Sequence, residues 1–448
     1  MTLTSAAPAA VPGNGTEHTK KVAVSSGIGA TIEAYDFIGY GTAAALYFGT
    51  AFFPSTDPLS GTLLSFATLG VGFAVRPLGG VIGGYLGDRV GRKPVLVFSL
   101  ILMGVATFCI GLLPTYESVG IWAGILLVTV RIIQGLAYGA EWGGAILMTY
   151  EHAPRTQKGR FTGIVQSGFP LGLLLANLVF LVSVHLPGTW AWRLPFLVSI
   201  LLVIVGVVIR TRVPESPEFE NVKARGEIVK NPIAQVIKND WRNILRAFGL
   251  RIAETAGYAV AITFMLSYLK SEELATSSET LVALCIASGL GIFATYNWGK
   301  LTDRIGRRPV YLLGTTIMVL FAFPMFLLVN TGALVLIVVT VVISYAICQN
   351  SLAGAQGPWF PELFQAATRA SGASIAYQFS AVISGFTPFV VTLLYSAYGW
   401  VGAASLFGVY GLIGLVATLV TAETWGPAQR QAAQALPAAD EVRPQFTS

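Results

Sequence analysis

Two carboxylic acids lie near the middle of a long apolar stretch in this 448-residue chain. Glu33 and Asp36 stand three residues apart within residues 22–53, and Tyr40 follows one turn later on the same helical face. A charge at the centre of a membrane helix costs about 2.5–3.5 kcal/mol and usually marks a pathway. Desolvation favours the protonated carboxyl, whereas a neighbouring arginine favours the charged form. An acid that alternates between these environments loads and releases a proton, so we predict proton carriage by Asp36 first and Glu33 second.

A second apolar stretch, residues 119–150, carries a polar stripe along one helical face. The stripe consists of Arg131, Gln134, Tyr138 and Glu141. Glu141 is the third candidate proton carrier. Arg131, and Arg76 in another apolar stretch, match a carboxylate bidentately and are candidates for holding a substrate's acid group. The alternative is a static ion pair between these arginines and the acids, which would only hold helices together.

The other candidates for substrate binding are uncharged. We predict a binding set that joins the two arginines with Tyr40, Gln134, Tyr138, Gln166, Tyr258, Tyr377 and Gln378. The last five apolar stretches have no charged residue in their cores, and Arg251 and Glu254 lie nearer the cytoplasmic end of the stretch before them. We therefore expect proton coupling in the first half of the chain, with the second half contributing mainly shape and hydrogen bonds.

The composition is typical of a membrane protein. Hydrophobic residues make up 54% of the chain and charged residues 11%, whereas a soluble domain has about 25% charged residues. The net charge of +6 does not indicate a nucleic-acid partner, because the positive side chains lie in short loops between apolar stretches. The three cysteines lie singly and the three histidines fall outside the apolar cores, so we expect no metal site. Without a GxxxxGK[ST] loop or a nucleophile motif, we expect neither an enzyme nor a cofactor.

Twelve stretches reach the length of about 20 apolar residues that a helix needs to cross a bilayer. Their predicted bounds are 22–53, 61–86, 95–113, 119–150, 161–185, 190–210, 244–269, 281–300, 309–329, 332–357, 370–395 and 399–421. Lysine and arginine concentrate on one side, which we call the basic face and which comprises both termini and the connections 87–94, 151–160, 211–243, 300–308 and 358–369. Because positive loops stay inside, we predict a multi-pass protein of the cell (inner) membrane with both termini in the cytoplasm.

An internal repeat divides the chain into two halves. GDRVGRKPV (87–95) and TDRIGRRPV (302–310) match at six of nine positions, 215 residues apart. Such duplication is a known transporter architecture, with the substrate site between the halves. The predicted units are a disordered cytoplasmic tail at 1–19, six-helix bundles at 20–210 and 244–424, a cytoplasmic linker at 211–243 and a cytoplasmic tail at 425–448.

The repeated loops carry charges that suit a gate. Asp88 lies at the C-terminal end of the second span, where the helix dipole disfavours a carboxylate, so we expect an arginine or another helix's N-terminus as its partner. The predicted gating network consists of Asp88, Arg89, Arg92, Glu151 and Arg160, with Asp303, Arg307, Glu362 and Arg369 in the second half. The alternative is that these charges only anchor the topology.

These motifs resemble those of a known family. GDRVGRK is similar to the loop signature of the major facilitator superfamily, and RVPESPEF (212–219) and AETWG (422–426) resemble two of its other motifs. Three stretches resemble the metabolite:proton symporters, which include shikimate, 2-oxoglutarate, citrate and proline/betaine carriers: IEAYDFIGYG (32–41), VRPLGG (75–80) and RIIQGLAYGAEWGGA (131–145). The resemblance implies an all-α fold with twelve transmembrane helices in two pseudo-symmetric bundles.

The expected function is secondary active symport, in which protons drive import of a small organic acid or zwitterion by alternating access. An alternative on the same fold is a proton-coupled antiporter that exports a drug or metabolite. GFPLG (168–172) departs from the motif that such antiporters often carry, which weighs against this alternative. A third alternative is a receptor derived from a transporter. We expect a monomer whose partners are a small metabolite, the bilayer and the coupling proton.

Overall fold

A computed structural model of the chain describes residues 15–54, 57–90, 92–139, 145–212, 232–365 and 369–435. Within these residues every regular element is helical. Ten of the helices are long and apolar enough to span a membrane. The remaining two predicted spans, 22–53 and 95–113, are helical as well, although the first is less apolar because it carries two acids among many small residues. The described residues therefore agree with the predicted all-α fold of twelve spans.

Six helices make up the N-terminal half. Their bounds are α1, Gly15–Ala43 with a π-helical turn Ala44–Phe48 and Gly49–Phe52; α2, Pro58–Ala74 and Arg76–Val90; α3, Arg92–Leu112; α4, Trp122–Gly139 and Ala145–His152; α5, Lys158–Gln166 and Gly168–Ser183; and α6, Trp190–Arg212. Asp57 caps α2 by accepting hydrogen bonds from the Leu59 and Ser60 backbone. The Ser60 hydroxyl and the Leu59 N–H lower the pKa of the Asp57 carboxyl, which keeps the cap ionised.

Six further membrane helices and one short helix make up the C-terminal half. Their bounds are α7, Pro232–Tyr258 with a π-helical turn Ala259–Phe264 and Met265–Ser271; α8, Ser277–Ile305; α9, Arg307–Val329; α10, Leu334–Val342 with a π-helical turn Ile343–Gln349 and Asn350–Glu362; α11, Arg369–Tyr398; α12, Trp400–Val420; and α13, Pro427–Ala435. Thr276 and Glu279 form a capping box at the start of α8, in which each side chain bonds the other's backbone.

Helices extend into three segments that the sequence assigned to tails or linker. α1 begins at Gly15 within the tail 1–19, and α7 begins at Pro232 within the linker 211–243. α13 lies within the tail 425–448. Just before α13, the Trp425 indole donates a 3.0 Å hydrogen bond to the carbonyl of Asp303 at the end of α8. Tertiary contact of this kind orders a polar segment that composition alone does not predict to be helical.

The two halves share a backbone feature at equivalent positions. The π-helical turn of α7 begins 215 residues after that of α1, which is the same offset as between the two loop motifs. π-helical turns are rare and occur frequently at functional sites. The matching offset relates α1 to α7 residue by residue.

The halves meet through close helix contacts at glycines. A Cβ on Gly159 of α5 would lie 2.3 Å from the carbonyl oxygen of Gly299 on α8. Between α2 and α11, Gly385 accommodates the ring of Phe73 and Gly70 accommodates the ring of Phe386. Small residues permit such approaches where lipid offers no hydrophobic drive for helix association.

Glycines also bring α2 and α4 together, which predicts a position-specific effect of adding a methyl group. A Cβ on Gly79 would lie 2.1 Å from the backbone oxygen of Leu136, so Gly79→Ala must push the helices apart. We expect Gly79→Ala to lower the stability by about 1–3 kcal/mol, the usual cost of overpacking. Thermal unfolding of the purified protein measures this change.

Gly289 on α8 is the matched control, because a Cβ there meets no heavy atom within 4 Å. Gly289→Ala should unfold at the temperature of the unaltered protein or slightly above it. Equal unfolding temperatures for the two alanine variants would show that α2 and α4 are not as closely packed as described.

Candidate transport site

A small cavity of about 10 Å³, room for about one water molecule, lies among α1 to α4 in the N-terminal half. Its lining consists of Glu33, Asp36, Phe37, Gly72, Arg76, Met103, Arg131, Gln134, Gly135 and Tyr138. Both acids and both arginines are at most 6% exposed. The structure thus brings together six of the predicted site residues from three helices. Glu141 lies outside the described residues.

Arg76 is held by aromatic rings and a tyrosine hydroxyl. Its guanidinium carbon lies 3.5 Å from the ring centroid of Tyr138, 3.9 Å from that of Phe73 and 4.5 Å from that of Phe37. The guanidinium also hydrogen-bonds Tyr138, whose hydroxyl in turn hydrogen-bonds Glu33. Tyr138 therefore connects one arginine to one acid, and stacked rings compensate part of the cost of burying the cation.

Arg131 is held by a separate set of contacts. Its guanidinium carbon lies 3.7 Å from the ring centroid of Tyr40, and it donates a hydrogen bond to Gln134. Gln134 donates onward to the Thr107 hydroxyl at 2.7 Å. Gly72 makes room for this arginine, because a Cβ there would lie 2.8 Å from the guanidinium. The spacing of arginine and glutamine along α4 and a glycine on α2 thus orient Arg131 into the cavity.

Five predicted binding residues lie outside the lining of this cavity. Tyr40 lies next to it, against Arg131. Gln166 and Gln378 link the halves: Gln166 donates to the Ala353 carbonyl at 3.1 Å, and Gln378 donates to the Gly139 carbonyl at 3.4 Å. Tyr258 and Tyr377 belong to the C-terminal half, where the Tyr377 ring centroid lies 3.8 Å from the guanidinium carbon of Arg251. These residues therefore lie between the halves or beyond the cavity.

A buried ion pair in the C-terminal half was not assigned to the site by sequence reasoning. Arg251 is 5% exposed and bonds Glu254 at 2.5 Å, both on α7. In the sequence this pair lies nearer the cytoplasmic end of the predicted span 244–269, and mainly shape and hydrogen bonds are expected from this half. The internal repeat carries the signal that was missed: Arg251 follows Asp36 by the offset of 215 residues that relates the halves.

Predicted gating residues assemble on the basic face. Arg307 is fully buried and bonds Asp303 at 2.9 Å and Glu362 at 3.1 Å. Asp303 also accepts hydrogen bonds of 2.8 Å from the backbone N–H groups of Gly159 and Arg160, at the start of α5 in the other half. An anion at a helix N-terminus is favourable, so Asp303 joins the halves.

Further contacts on the basic face involve the remaining charged residues. Arg369 lies 3.9 Å from Glu151 across the halves, and the Arg160 guanidinium donates to the Tyr296 hydroxyl at 3.1 Å. The side chains of Asp88, Arg89 and Arg92 lie outside the described part of the structure. The counterpart of Asp88 in the second half, Asp303, contacts both an arginine and a helix N-terminus. These are the two kinds of partner that the sequence predicts for Asp88.

Removal of the central cation of this cluster should be strongly destabilising. Arg307→Ala leaves Asp303 and Glu362 without their arginine in a buried site, and breaking a buried pair costs about 3–5 kcal/mol. Thermal unfolding of the purified variant should therefore show a marked decrease in Tm. Arg304→Ala, at an exposed position in the last turn of α8, should unfold like the unaltered protein. Similar unfolding of both variants would contradict the assigned role of Arg307.

Comparisons with known proteins agree with this architecture. The sequence profile of the Major Facilitator Superfamily matches residues 28–373 and 298–446. The chain is 39% identical over 392 residues to the shikimate transporter of Escherichia coli (strain K12), a match that covers 85% of this chain and 89% of that protein. It is 32% identical over 440 residues to the proline/betaine transporter of the same strain, covering 95% and 87% of the two chains.

The solved structure of the proton:xylose symporter XylE bound to 6-bromo-6-deoxy-D-glucose has the same fold. It superposes with a TM-score of 0.73 at 16% identity, over 94% of this chain and 100% of that one. The relatives are transporters rather than enzymes. The described helices span a membrane in the order that the sequence predicts, and the chain belongs to the major facilitator superfamily, within its group of metabolite:proton symporters.

Proposed function

We propose that this protein is a proton-coupled symporter that imports a small organic acid or zwitterion by alternating access. The observation that carries the proposal is the cavity in which two buried acids meet two buried arginines. The substrates named for the relatives support a small carboxylate, because shikimate, proline and betaine all carry that group.

Charge balance supports coupling between proton and anion. Among the described side chains that line the cavity, Glu33 and Asp36 offset Arg76 and Arg131. When one acid takes up a proton, the cavity gains an uncompensated positive charge, which is costly in an apolar environment. A carboxylate restores the balance, so proton and anion enter together. We assign the proton first to Asp36, then to Glu33 and then to Glu141.

We propose that the substrate contacts residues of both halves. In the N-terminal half these are Arg76, Arg131, Gln134, Tyr40, Tyr138 and Gln166, and in the C-terminal half they are Tyr258, Tyr377 and Gln378. A guanidinium forms paired hydrogen bonds with a carboxylate, whereas the amides and hydroxyls suit the other polar groups of a metabolite. The interface between repeats is where transporters of this architecture bind their substrates.

The contacts on the basic face support a gate for alternating access. In the C-terminal half, Arg307 bonds Asp303 and Glu362, and Asp303 accepts hydrogen bonds from the start of α5 in the other half. Arg369 and Glu151 approach across the same interface. Separation of these contacts would open the cavity towards the basic face. We propose that this face and both termini lie in the cytoplasm of a cell with an inner membrane, and that one chain suffices for transport.

The decisive experiment measures proton movement in liposomes that contain the purified protein. The liposomes start without a pH gradient, and a trapped dye reports the internal pH. Each compound is then added outside in turn: shikimate, 2-oxoglutarate, citrate, proline and glycine betaine. We expect at least one of these carboxylates to carry protons inward, and Asp36→Asn to abolish that proton entry because the amide cannot be protonated in this range. Asp57→Asn makes the same chemical change at an exposed cap and should transport normally.

The other outcomes separate the alternatives. Proton movement opposite to substrate movement would make the protein an exporting antiporter. Substrate flux without protons, equal in the Asp36→Asn variant, would leave Glu33 and Asp36 as structural partners of the arginines. If none of the five compounds moved through the unaltered protein, the proposed substrate class would be wrong.

A further inference from the structure

The C-terminal half contains a polar cluster that the proposed proton site does not use. It is centred on Arg251 and Glu254 of α7, whose side chains are 5% and 16% exposed and bond at 2.5 Å. Around them lie the rings of Tyr258, Tyr311, Tyr345 and Tyr377, each of which interacts electrostatically with Glu254. Neutral tyrosines surround one cation and one anion, so this cluster differs from the N-terminal cavity with its two acids and two arginines.

Arg251 presents an unused hydrogen-bonding edge. Its Nη1 atom donates to Glu254, and the ring of Tyr377 covers the guanidinium face at 3.8 Å. The Nε atom is buried and has no hydrogen-bond partner. A carboxylate binds a guanidinium in its plane, along an edge, and not over the face. The contacts of Arg251 therefore fix its plane and leave one edge for a second anion.

Other buried polar atoms in the same half also lack partners. They are the Tyr258 hydroxyl, the Gln349 side-chain oxygen and the Asn350 side-chain nitrogen. Tyr258 contacts Tyr345 with ring centroids 5.9 Å apart, and a Cβ on Gly291 would meet both Asn350 and Tyr345 within 3.0 Å. A buried donor or acceptor without a partner is energetically costly, so several together indicate a site for a polar ligand.

The pseudo-symmetry of the fold places this cluster opposite the proposed proton site. Arg251 and Asp36 each precede the π-helical turn of their helix by the same eight residues. Tyr377 lies within electrostatic range of Arg251 and Glu254 and also of Glu33 and Arg76 in the other half. The two charged centres thus face each other across the interface, with Tyr377 between them.

We propose that Arg251 binds the carboxylate of the substrate from the C-terminal half and that Glu254 is the resident anion that occupies this arginine in its absence. Tyr258, Gln349 and Asn350 then bind the remaining polar groups of the same molecule. The inference rests on the proposed symport of a carboxylate and names the residue that holds that group in the second half. A substrate bound in this way touches both halves, so its charge contributes to bringing them together.

The test compares the Kd of two variants. If Arg251 binds the ligand, one variant should bind more weakly; if the ion pair is only structural, the other should. Isothermal titration of the full-length purified protein measures the Kd for shikimate, with citrate and L-proline titrated in parallel. Glu254→Gln removes the competing anion and should bind the carboxylate as tightly as the unaltered protein, or more tightly. Arg251→Gln/Glu254→Gln is also neutral as a pair but lacks the cation, and its Kd should rise about 10- to 100-fold, as expected for loss of a charge-assisted bond.

A purely structural ion pair predicts the reverse. Glu254→Gln would then be the more damaging change, because it leaves Arg251 buried without its partner, and the double variant would restore binding. Arg242→Gln, an exposed position on the same helix, should leave the Kd unchanged. The methyl ester of shikimate, which has no charge, should bind the unaltered protein and the double variant with similar Kd values. Thermal unfolding of each variant confirms that it is folded.

The outcomes distinguish this inference from the proposed function. If the unaltered protein binds a carboxylate and the double variant binds it equally well, Arg251 is not its ligand and the symport proposal stands. If the unaltered protein binds none of the three carboxylates and moves none of the five compounds in liposomes, both proposals are overturned.

Discussion

The cost of a charge inside a membrane constrains most of what is distinctive in this structure. A buried arginine or carboxylate must find a compensating partner, because neither lipid nor apolar side chains supply one. The protein meets this requirement in different ways at three places. Arg76 lies among three aromatic rings, Arg251 bonds Glu254, and Arg307 bonds two carboxylates on the basic face. Each solution fixes the position of a buried charged side chain.

Close helix packing makes these charged centres possible. Where Gly72 faces Arg131 and Gly159 faces Gly299, the absence of a Cβ lets backbone or guanidinium groups approach within van der Waals contact. The contact between Gly159 and Gly299 also holds the two halves together near the basic face. Transport by alternating access requires that such contacts form and separate, and interfaces built on small residues and hydrogen bonds can do so without exposing large apolar surfaces.

The two halves share a scaffold but differ in their charges. The π-helical turns and the loop motifs recur at one offset, so α1 and α7 are equivalent in the fold. At the equivalent positions α1 carries Asp36 and α7 carries Arg251. Opposite charges therefore occupy equivalent positions in the two halves.

The fold class, the twelve spans and the family could be predicted from the amino-acid sequence alone. Apolar length, loop charge and an internal repeat are local properties, and each depends on a physical requirement that holds along the chain. Glu33, Asp36, Arg76 and Arg131 were also identifiable, because a charge within an apolar stretch is conspicuous without any knowledge of its neighbours. Helical spacing predicts which of these residues share a face of one helix. It does not predict that different helices bring them around one cavity.

Which of these residues meet depends on how the helices pack against one another. Tyr138 links Arg76 to Glu33, Asp303 reaches the start of α5, and Arg251 lies against Tyr377 rather than at the edge of its span. The helical extension of segments assigned to tails and linker likewise depends on contacts such as that of Trp425 with the end of α8. Contacts between helices far apart in sequence depend on how the helices pack, and the pattern of residues along a single helix does not contain that information.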